Sequence, residues 1–253
     1  MPTLITVEQR AASRPRDYVR VAGADAEDFL QRMVSNDVTA APCQALLLTP
    51  KARVIAPLVV VRRGPEDFLL LTEHGLGEAV RSTLIRARFA AKVEIEPEQH
   101  RSTIVFGENS GIPNHDYGEP AVEVLDDSIQ PTLSADELER MRIEAGTPAW
   151  GTEIDDRVLP AEAGLTERAV SFTKGCYPGQ EPIARLQHRG KVNRRLRLLE
   201  IDSASSGEEI TYEGKAVGRV TSAIPGRALA YVRTEVPEDA ELDVSGRTAR
   251  LAG

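Results

Sequence analysis

At 253 residues, 41% hydrophobic and 28% charged, the chain has the make-up of a globular protein able to bury one large core or two to three smaller ones, which excludes a disordered or fibrous class. Its formal charge of -8 argues against a general nucleic-acid surface, and its longest apolar run, Val54 to Val61, is far too short to cross a membrane. Two distant cysteines, Cys43 and Cys176, and four scattered histidines without a CxxC or HxxxH spacing offer no metal ligand set. They also argue against a structural disulfide. The opening residues lack the basic-then-apolar pattern of a secretory signal, so a cytoplasmic protein is expected.

From Tyr18 a short strand leads into a helix over 25–36, on which Phe29, Leu30, Met33 and Val34 share one face and Asp25 serves as N-cap. Cys43 is expected to pack at the edge of the strands that follow, over 45–49, 54–61 and 68–72. A helix over 76–89 then places Leu76, Val80, Leu84 and Ala87 at helical spacing. Strands at 92–96 and 102–106 precede a glycine- and proline-rich linker over 107–120 and another strand at 121–125. Ser134-Ala135-Asp136-Glu137 is a capping box that opens a helix stopped by Gly146. Strands alternating with single helices, without a dinucleotide-binding glycine fingerprint, give α+β layers of the split βαβ kind. Beyond residue 192, apolar segments at 192–201, 209–212, 216–221, 228–233 and 242–251 are separated by turns at Gly207, Gly214, Gly226 and Gly246. They predict a small β-barrel.

Between these regions, Lys174-Gly175-Cys176-Tyr177-Pro178-Gly179-Gln180-Glu181 sets a lone thiol between two glycines. Pro178 fixes its own φ and biases Tyr177 to an extended form, while Gly175 and Gly179 permit positive φ or close backbone approach. Pro182 suits the first turn of a helix running to Arg189 and stopped by Gly190. Cys176 is therefore expected on a tight loop ahead of a short helix, whose free amides, with Lys174 close by, favour thiolate if the sulfur points that way. The competing reading is a buried, inert cysteine. From Arg185 to Arg197 the chain carries Arg185, Arg189, Lys191, Arg194, Arg195 and Arg197, with His188 and no acid. Such a stripe on an acidic chain points either to one anionic ligand or to a solvated strand face, with His188 at the helix C-terminus.

Lys174 to Glu181, continued by Ala184-Arg185 and Asn193-Arg194-Arg195, resembles the signature of the YgfZ family, folate-binding relatives of the glycine-cleavage T-protein (an aminomethyltransferase) involved in iron-sulfur protein maintenance. Supporting pieces are Phe29-Leu30-Gln31, Ser35-Asn36-Asp37-Val38, Arg142-Ile143-Glu144-Ala145-Gly146, Gly151 and Leu159-Pro160. T-proteins carry a Gly-Gly-Ile-x-Asp-Asp-Leu type segment whose aspartate serves folate chemistry. The matching stretch here is Ala52-Arg53-Val54-Ile55-Ala56-Pro57-Leu58. Ala56 and Pro57 can neither transfer a proton nor hold a charged amine, so aminomethyl transfer of the T-protein kind is not expected.

The resemblance implies a three-part, T-protein-like ring of two ferredoxin-like modules and a C-terminal barrel around a folate cavity. The folate-binding module would be discontinuous, 1–44 plus 119–190, with a second α+β module inserted at 45–118 and the barrel at 191–253. It further implies tetrahydrofolate or a folate derivative as cofactor. Glu181 would hold the pterin edge, Tyr177 would stack, Arg194 or Arg195 would meet the glutamate tail, and Lys174 and Gln180 would add polar support. Each has a structural reading too: Glu181 as a helix cap, Tyr177 as core, Gln180 as a backbone partner. Cys176 would be the acting group, as nucleophile, sulfur acceptor or transient iron ligand. The implied role is a folate-binding accessory factor for iron-sulfur cluster assembly or repair. Its partners would be iron-sulfur proteins or the assembly machinery, with tRNA modification affected only through a cluster enzyme and no direct nucleic-acid or membrane partner. A folate-dependent one-carbon transferase is the alternative, and a folate storage or sensing module a third.

Overall fold

A computed structural model of the protein describes residues 9–252. Strand β1 (Ala11–Ser13) is followed at once by β2 (Arg16–Ala22), and at the Arg14-Pro15 step between them the chain leaves one sheet for another. After β2 come α1 (Ala26–Met33), β3 (Cys43–Leu48), β4 (Val54–Gly64), β5 (Asp67–Glu73), α2 (Gly77–Ala87) and β6 (Glu94–Glu98). Their strands form an antiparallel sheet ordered β3-β4-β5-β2-β6. Along β4 the alternation expected of a strand buries Val54, Ala56, Leu58 and Val60. Phe29 and Leu30 of α1 and Val80 and Leu84 of α2 pack with Val19, Val21 and Phe68 in the same core. Helix α1 stops at Met33 because Val34 turns extended, and Asp25, although at the N-cap position, uses its carboxylate to accept the amide of Lys92.

The second sheet is formed by β7 (Thr103–Phe106), β8 (Ile112–Asn114) and β9 (Ala121–Val124) with β1, in the order β1-β7-β9-β8. Strand β8 lies inside the segment expected to be a linker. It can run close to β9 because Gly111, at φ +152°, has no side chain to meet Val122 and the carbonyl of Glu123. Helix α3 (Ala135–Glu144) begins with the expected capping box, Ser134 Oγ accepting from the Glu137 amide and the Glu137 carboxylate accepting from the Ser134 amide.

Strand pairing divides the chain differently from the expected modules at 1–44 plus 119–190 and 45–118. The whole of β2, from Arg16 opposite Glu73 to Ala22 opposite Asp67, lies in the first sheet between β5 and β6, and only Ala11 to Ser13 reaches the second. The discontinuous unit is therefore β1 with the residues after Ser102, and the continuous one is built from 16–98. Residues 1–8 and 253 of the expected division lie outside the described residues.

A connecting region with short helices α4 (Thr166–Ala169) and α5 (Gln180–Arg189) leads to a closed barrel. Its strands are β10 (Arg194–Ile201), β11 (Glu209–Tyr212), β12 (Lys215–Ile224), β13 (Gly226–Arg233), β14 (Glu241–Val244) and β15 (Arg247–Leu251), in the order β10-β13-β12-β11-β14-β15. The segment expected as one strand over 242–251 is a hairpin, folded at Ser245 and Gly246, both with positive φ. Leu199, Ile210, Val220, Ala230 and Val244 fill the barrel. Tyr231 joins a separate core with Leu46, Leu48, Val54, Ile154, Tyr177 and Ile183, where barrel, connector and first sheet meet. No helix among the described residues is long and apolar enough to cross a membrane.

Candidate functional site

Cys176 is exposed to solvent, on a loop held from both sides. On one side Tyr177 is buried in the joint core, and Gly179 takes φ +84° where a Cβ would lie 2.7 Å from the carbonyl oxygen of Thr49 and 3.0 Å from Cα of Ala52. Only glycine satisfies both the left-handed φ and that backbone approach. Gly175 has nothing within 4 Å of its missing Cβ, so space does not require glycine there. On the other side Lys174 donates to the carbonyl oxygens of Val34 at 2.8 Å and Asn36 at 2.6 Å, with its ammonium 5.5 Å from the centre of the Tyr177 ring. Burial draws the Lys174 pKa down to about 8, against the opposing pull of Asp37 and Cys43.

The segment that receives Lys174 is itself tied to the connector. Ser35 Oγ donates to Ala169 O at 2.6 Å, the Ser171 amide to Ser35 O at 2.9 Å, and Asn36 Nδ2 to Arg168 O at 3.3 Å, besides its bond to Gln44 O of β3 at 2.7 Å. Two motifs far apart in sequence, Ser35-Asn36-Asp37 and the cysteine octapeptide, thus form one knot beneath an exposed thiol. Cys43 is different. It begins the outer strand β3, its Sγ donates to Asp37 O at 3.5 Å, and burial pushes its thiol up to about 11.

The other residues expected to hold a ligand do not share a pocket with one another. Helix α5 starts at Gln180, whose amide donates to Tyr177 O, and packs inward through Ile183. Glu181 lies two positions earlier, about 200° around the helix. It therefore faces water and pairs with Arg185 at 2.9 Å. Tyr177, placed as a stacking platform, fills core instead. Arg194 lies over the ring of Tyr231, 4.5 Å from its centre, and pairs with Glu162 at 3.3 Å. Arg195, next along β10, points to the opposite side of the strand, into an outer groove.

The central cavity is elsewhere, between the first sheet, the second module and the connector. It encloses about 60 Å³ and is walled by Leu46, Pro57 and Leu58 from the sheet and by Trp150, Ile154 and Leu165 from the connector. Arg14, Arg16, Glu73, Asp116 and Arg168 supply its charge. Arg14 meets Glu73 at 2.6 Å, Arg16 bridges Glu73 at 3.2 Å and Glu123 at 2.7 Å, and Arg168 meets Asp116 at 3.2 Å. Arg14 Nε is buried with no hydrogen-bond partner, an open donor beside the cavity. Sequence reasoning missed these residues. The one usable signal was Trp150, the chain's single tryptophan.

This set suits a reduced folate in kind: an aromatic plane at Trp150, an open donor at Arg14, carboxylates for the donor edge of a pterin and guanidinium groups for a glutamate tail. It does not suit it in size as it stands, because a cofactor pocket needs on the order of several hundred Å³. Pro57 stands in the wall, and its carbonyl accepts from Thr72 Oγ1 at 2.9 Å. Arg142, which also lines the cavity, meets Glu153 at 3.1 Å, and both are buried. Ser222 of the barrel donates to Glu153 at 2.6 Å and accepts from Arg142 at 3.1 Å.

Residues 193–252 match the family model of the CAF17 C-terminal beta-barrel domain. Over 81% of its length the chain is 30% identical to an uncharacterized protein of Haemophilus influenzae, and it covers 81% of that protein. It is 26% identical to the tRNA-modifying protein YgfZ of Escherichia coli, covering 92% of this chain and 82% of that one. It is 24% identical to the mitochondrial iron-sulfur cluster assembly factor IBA57 of Mus musculus, covering 87% and 76%. The crystal structure of the glycine cleavage system aminomethyltransferase T from Bartonella henselae superposes with a TM-score of 0.83 at 18% identity, covering 97% of this chain and 85% of that one, which establishes a common fold.

Proposed function

The chain belongs to the YgfZ/IBA57 family, with a CAF17-type barrel on a GcvT-like fold, and from that membership we propose that it is a folate-binding accessory protein of iron-sulfur cluster assembly or repair, acting through Cys176. The observation that carries this reading is the exposed thiol on a loop pinned by Gly179 and Lys174, since a fixed, accessible sulfur is what transfer to or from a second protein needs. Iron-sulfur proteins or their assembly machinery are the partners, and any effect on tRNA modification runs through a cluster enzyme.

Tetrahydrofolate would be held in the central cavity by Trp150, Arg14, Arg16, Glu73, Asp116 and Arg168, with side chains turning aside to admit it. Bound there it supplies a carrier for a one-carbon unit. Pro57 in place of a carboxylate speaks against aminomethyl transfer, and both acids named here are already engaged by arginine.

Replacing Cys176 by alanine while measuring tetrahydrofolate binding and rescue of cluster-enzyme activity in a depleted strain tests the proposal. Binding retained and rescue lost is the expected result. Intact rescue overturns the role of Cys176, and a Trp150 emission unmoved by tetrahydrofolate overturns the placement of the cofactor.

A further inference from the structure

On the outside of the connector, beyond α4 from the central cavity, two hollows adjoin along the start of the barrel. The inner one, about 310 Å³, lies between α4, α5 and β10, with Pro160, Ile183 and Leu186 on its apolar side. The outer one, about 250 Å³, continues along β10 and β13 past Val232 and Val236. Lys191, Val192 and Arg195 line both, so the two cations stand where the hollows meet.

The charges around this point are unevenly satisfied. Arg185 pairs with Glu181, Arg194 with Glu162, Arg197 with Glu238 and Arg233 with Glu235. Lys191 and Arg195 make no ion pair or side-chain hydrogen bond among the described residues, although Glu238 feels the charge of Arg195. The acids on the walls are Glu167 in the inner hollow and Glu238, already held by Arg197, in the outer. Thr166, in the inner wall, carries a buried hydroxyl without a partner. Two open cations, an open hydroxyl and apolar flanks are a recognition set for an anion with a carbon body. A nucleic-acid track would need a longer run of open cations, and here Glu162, Glu167 and Glu238 interrupt it.

We propose that the hollow shared by Lys191 and Arg195 is a binding site for a small organic anion, its phosphate or carboxylate head held between the two cations and its body lying along Ile183 and Leu186 or along Val232 and Val236. The basic stripe read in the sequence is then mostly ion-paired surface with one open position, and that position is separate from the central cavity. The site is independent of folate, since none of its residues lines the cavity assigned to the cofactor.

Titration of the full ¹⁵N-labelled chain with phenyl phosphate and, separately, 3-phenylpropionate, at matched ionic strength, tests this by amide shifts at Val192 and Thr234. At least one probe is expected to bind saturably. Arg195→Gln and Lys191→Gln are each expected to weaken it by roughly tenfold, the loss of a charge-assisted contact. Thr166→Val should weaken it less, and Arg227→Gln, on the barrel outside the hollows, should leave it unchanged. Tighter binding of phenyl phosphate identifies a phosphate ester as the ligand class, and tighter binding of 3-phenylpropionate a carboxylate. Saturation by neither probe, or equal affinity in Arg195→Gln, Lys191→Gln and the unmodified chain, overturns the proposal.

Discussion

The ammonium of Lys174 sits 2.6 Å from the carbonyl oxygen of Asn36, and through this bond the octapeptide that carries the thiol is anchored to the turn that ends α1. With the second bond, to Val34 O, the lysine occupies the carbonyl of the C-cap residue of α1 as well as that of Asn36 in the turn beyond it. A charge at that end is favourable, but this one is partly out of water, which is why its pKa falls to about 8.

Lys174→Met should therefore loosen the loop, raising the rate at which Cys176 is alkylated by iodoacetamide and lowering stability by about 1–3 kcal/mol, the range for losing hydrogen bonds to a charged group. Lys174→Arg should restore part of both. The pH dependence has a defined sign. Below about 8 the lysine is charged in folded and unfolded chains alike, and the folded state bears the full cost of burying that charge. Between about 8 and the ordinary 10.5 the unfolded chain binds the extra proton, so this group's contribution to stability rises with pH. Urea unfolding of the unmodified chain and of Lys174→Met across this window should diverge in favour of the lysine. A constant difference would show that the ammonium is not buried as described.

The two glycines of the octapeptide should respond differently. At Gly179 an alanine meets the Thr49 carbonyl at 2.7 Å while forced to positive φ, and a cost of about 1–3 kcal/mol is expected from strain of this kind. Gly175→Ala meets nothing within 4 Å and should leave both the unfolding midpoint and the alkylation rate of Cys176 nearly unchanged. Equal effects at the two positions would remove the argument that the loop is pinned from the Thr49 to Ala52 side.

Arg142, Glu153 and Ser222 tie the helix of the second module, the connector and the barrel into one buried group, to which Tyr231 adds a hydrogen bond to the Glu153 carbonyl at 2.8 Å. Arg142→Ala leaves Glu153 buried without a cation and should cost about 3–5 kcal/mol, whereas Glu153→Ala leaves Arg142 still paired with Glu139 at 2.6 Å and should cost less. The double variant should cost less than the sum of the two, and a double-mutant cycle by chemical denaturation measures the coupling. Strict additivity would mean that the group does not act as a unit.

How much of this was legible varied with the range of the interaction. The barrel was readable because alternation and glycine turns are local signals, and only the hairpin at Ser245-Gly246 was run together as one strand. The capping box at Ser134 was readable for the same reason. The direction of Glu181 was in principle readable too, since Ile183 and Leu186 define the inner face of α5 and place Glu181 opposite. Arg14 and Arg16, by contrast, look like surface charges around a proline until their partners Glu73 and Glu123 arrive from two different sheets. The cavity is made of such long-range meetings, and periodicity carries no information about them.

Strand β6 is the outer strand on the far side of the first sheet from β3. Glu98 at its end accepts from both terminal guanidinium nitrogens of Arg63 at 2.8 and 2.9 Å and lies 2.8 Å from His100 Nε2, joining β6 to the end of β4. Hydrogen bonding from Arg63, helped by His100, outweighs partial burial and holds its carboxyl down to about 2 against an ordinary 4.5. A carboxylate lowered in this way contributes stability that is complete above about 4.5 and fades as pH falls towards 2. Glu98→Gln should therefore destabilise the chain by about 1 kcal/mol at neutral pH, the upper end for a pair partly open to solvent, and by almost nothing near pH 2. If acid titration of unfolding shows the same difference between Glu98→Gln and the unmodified chain at both ends of this window, the Arg63 fork does not select the ionised form.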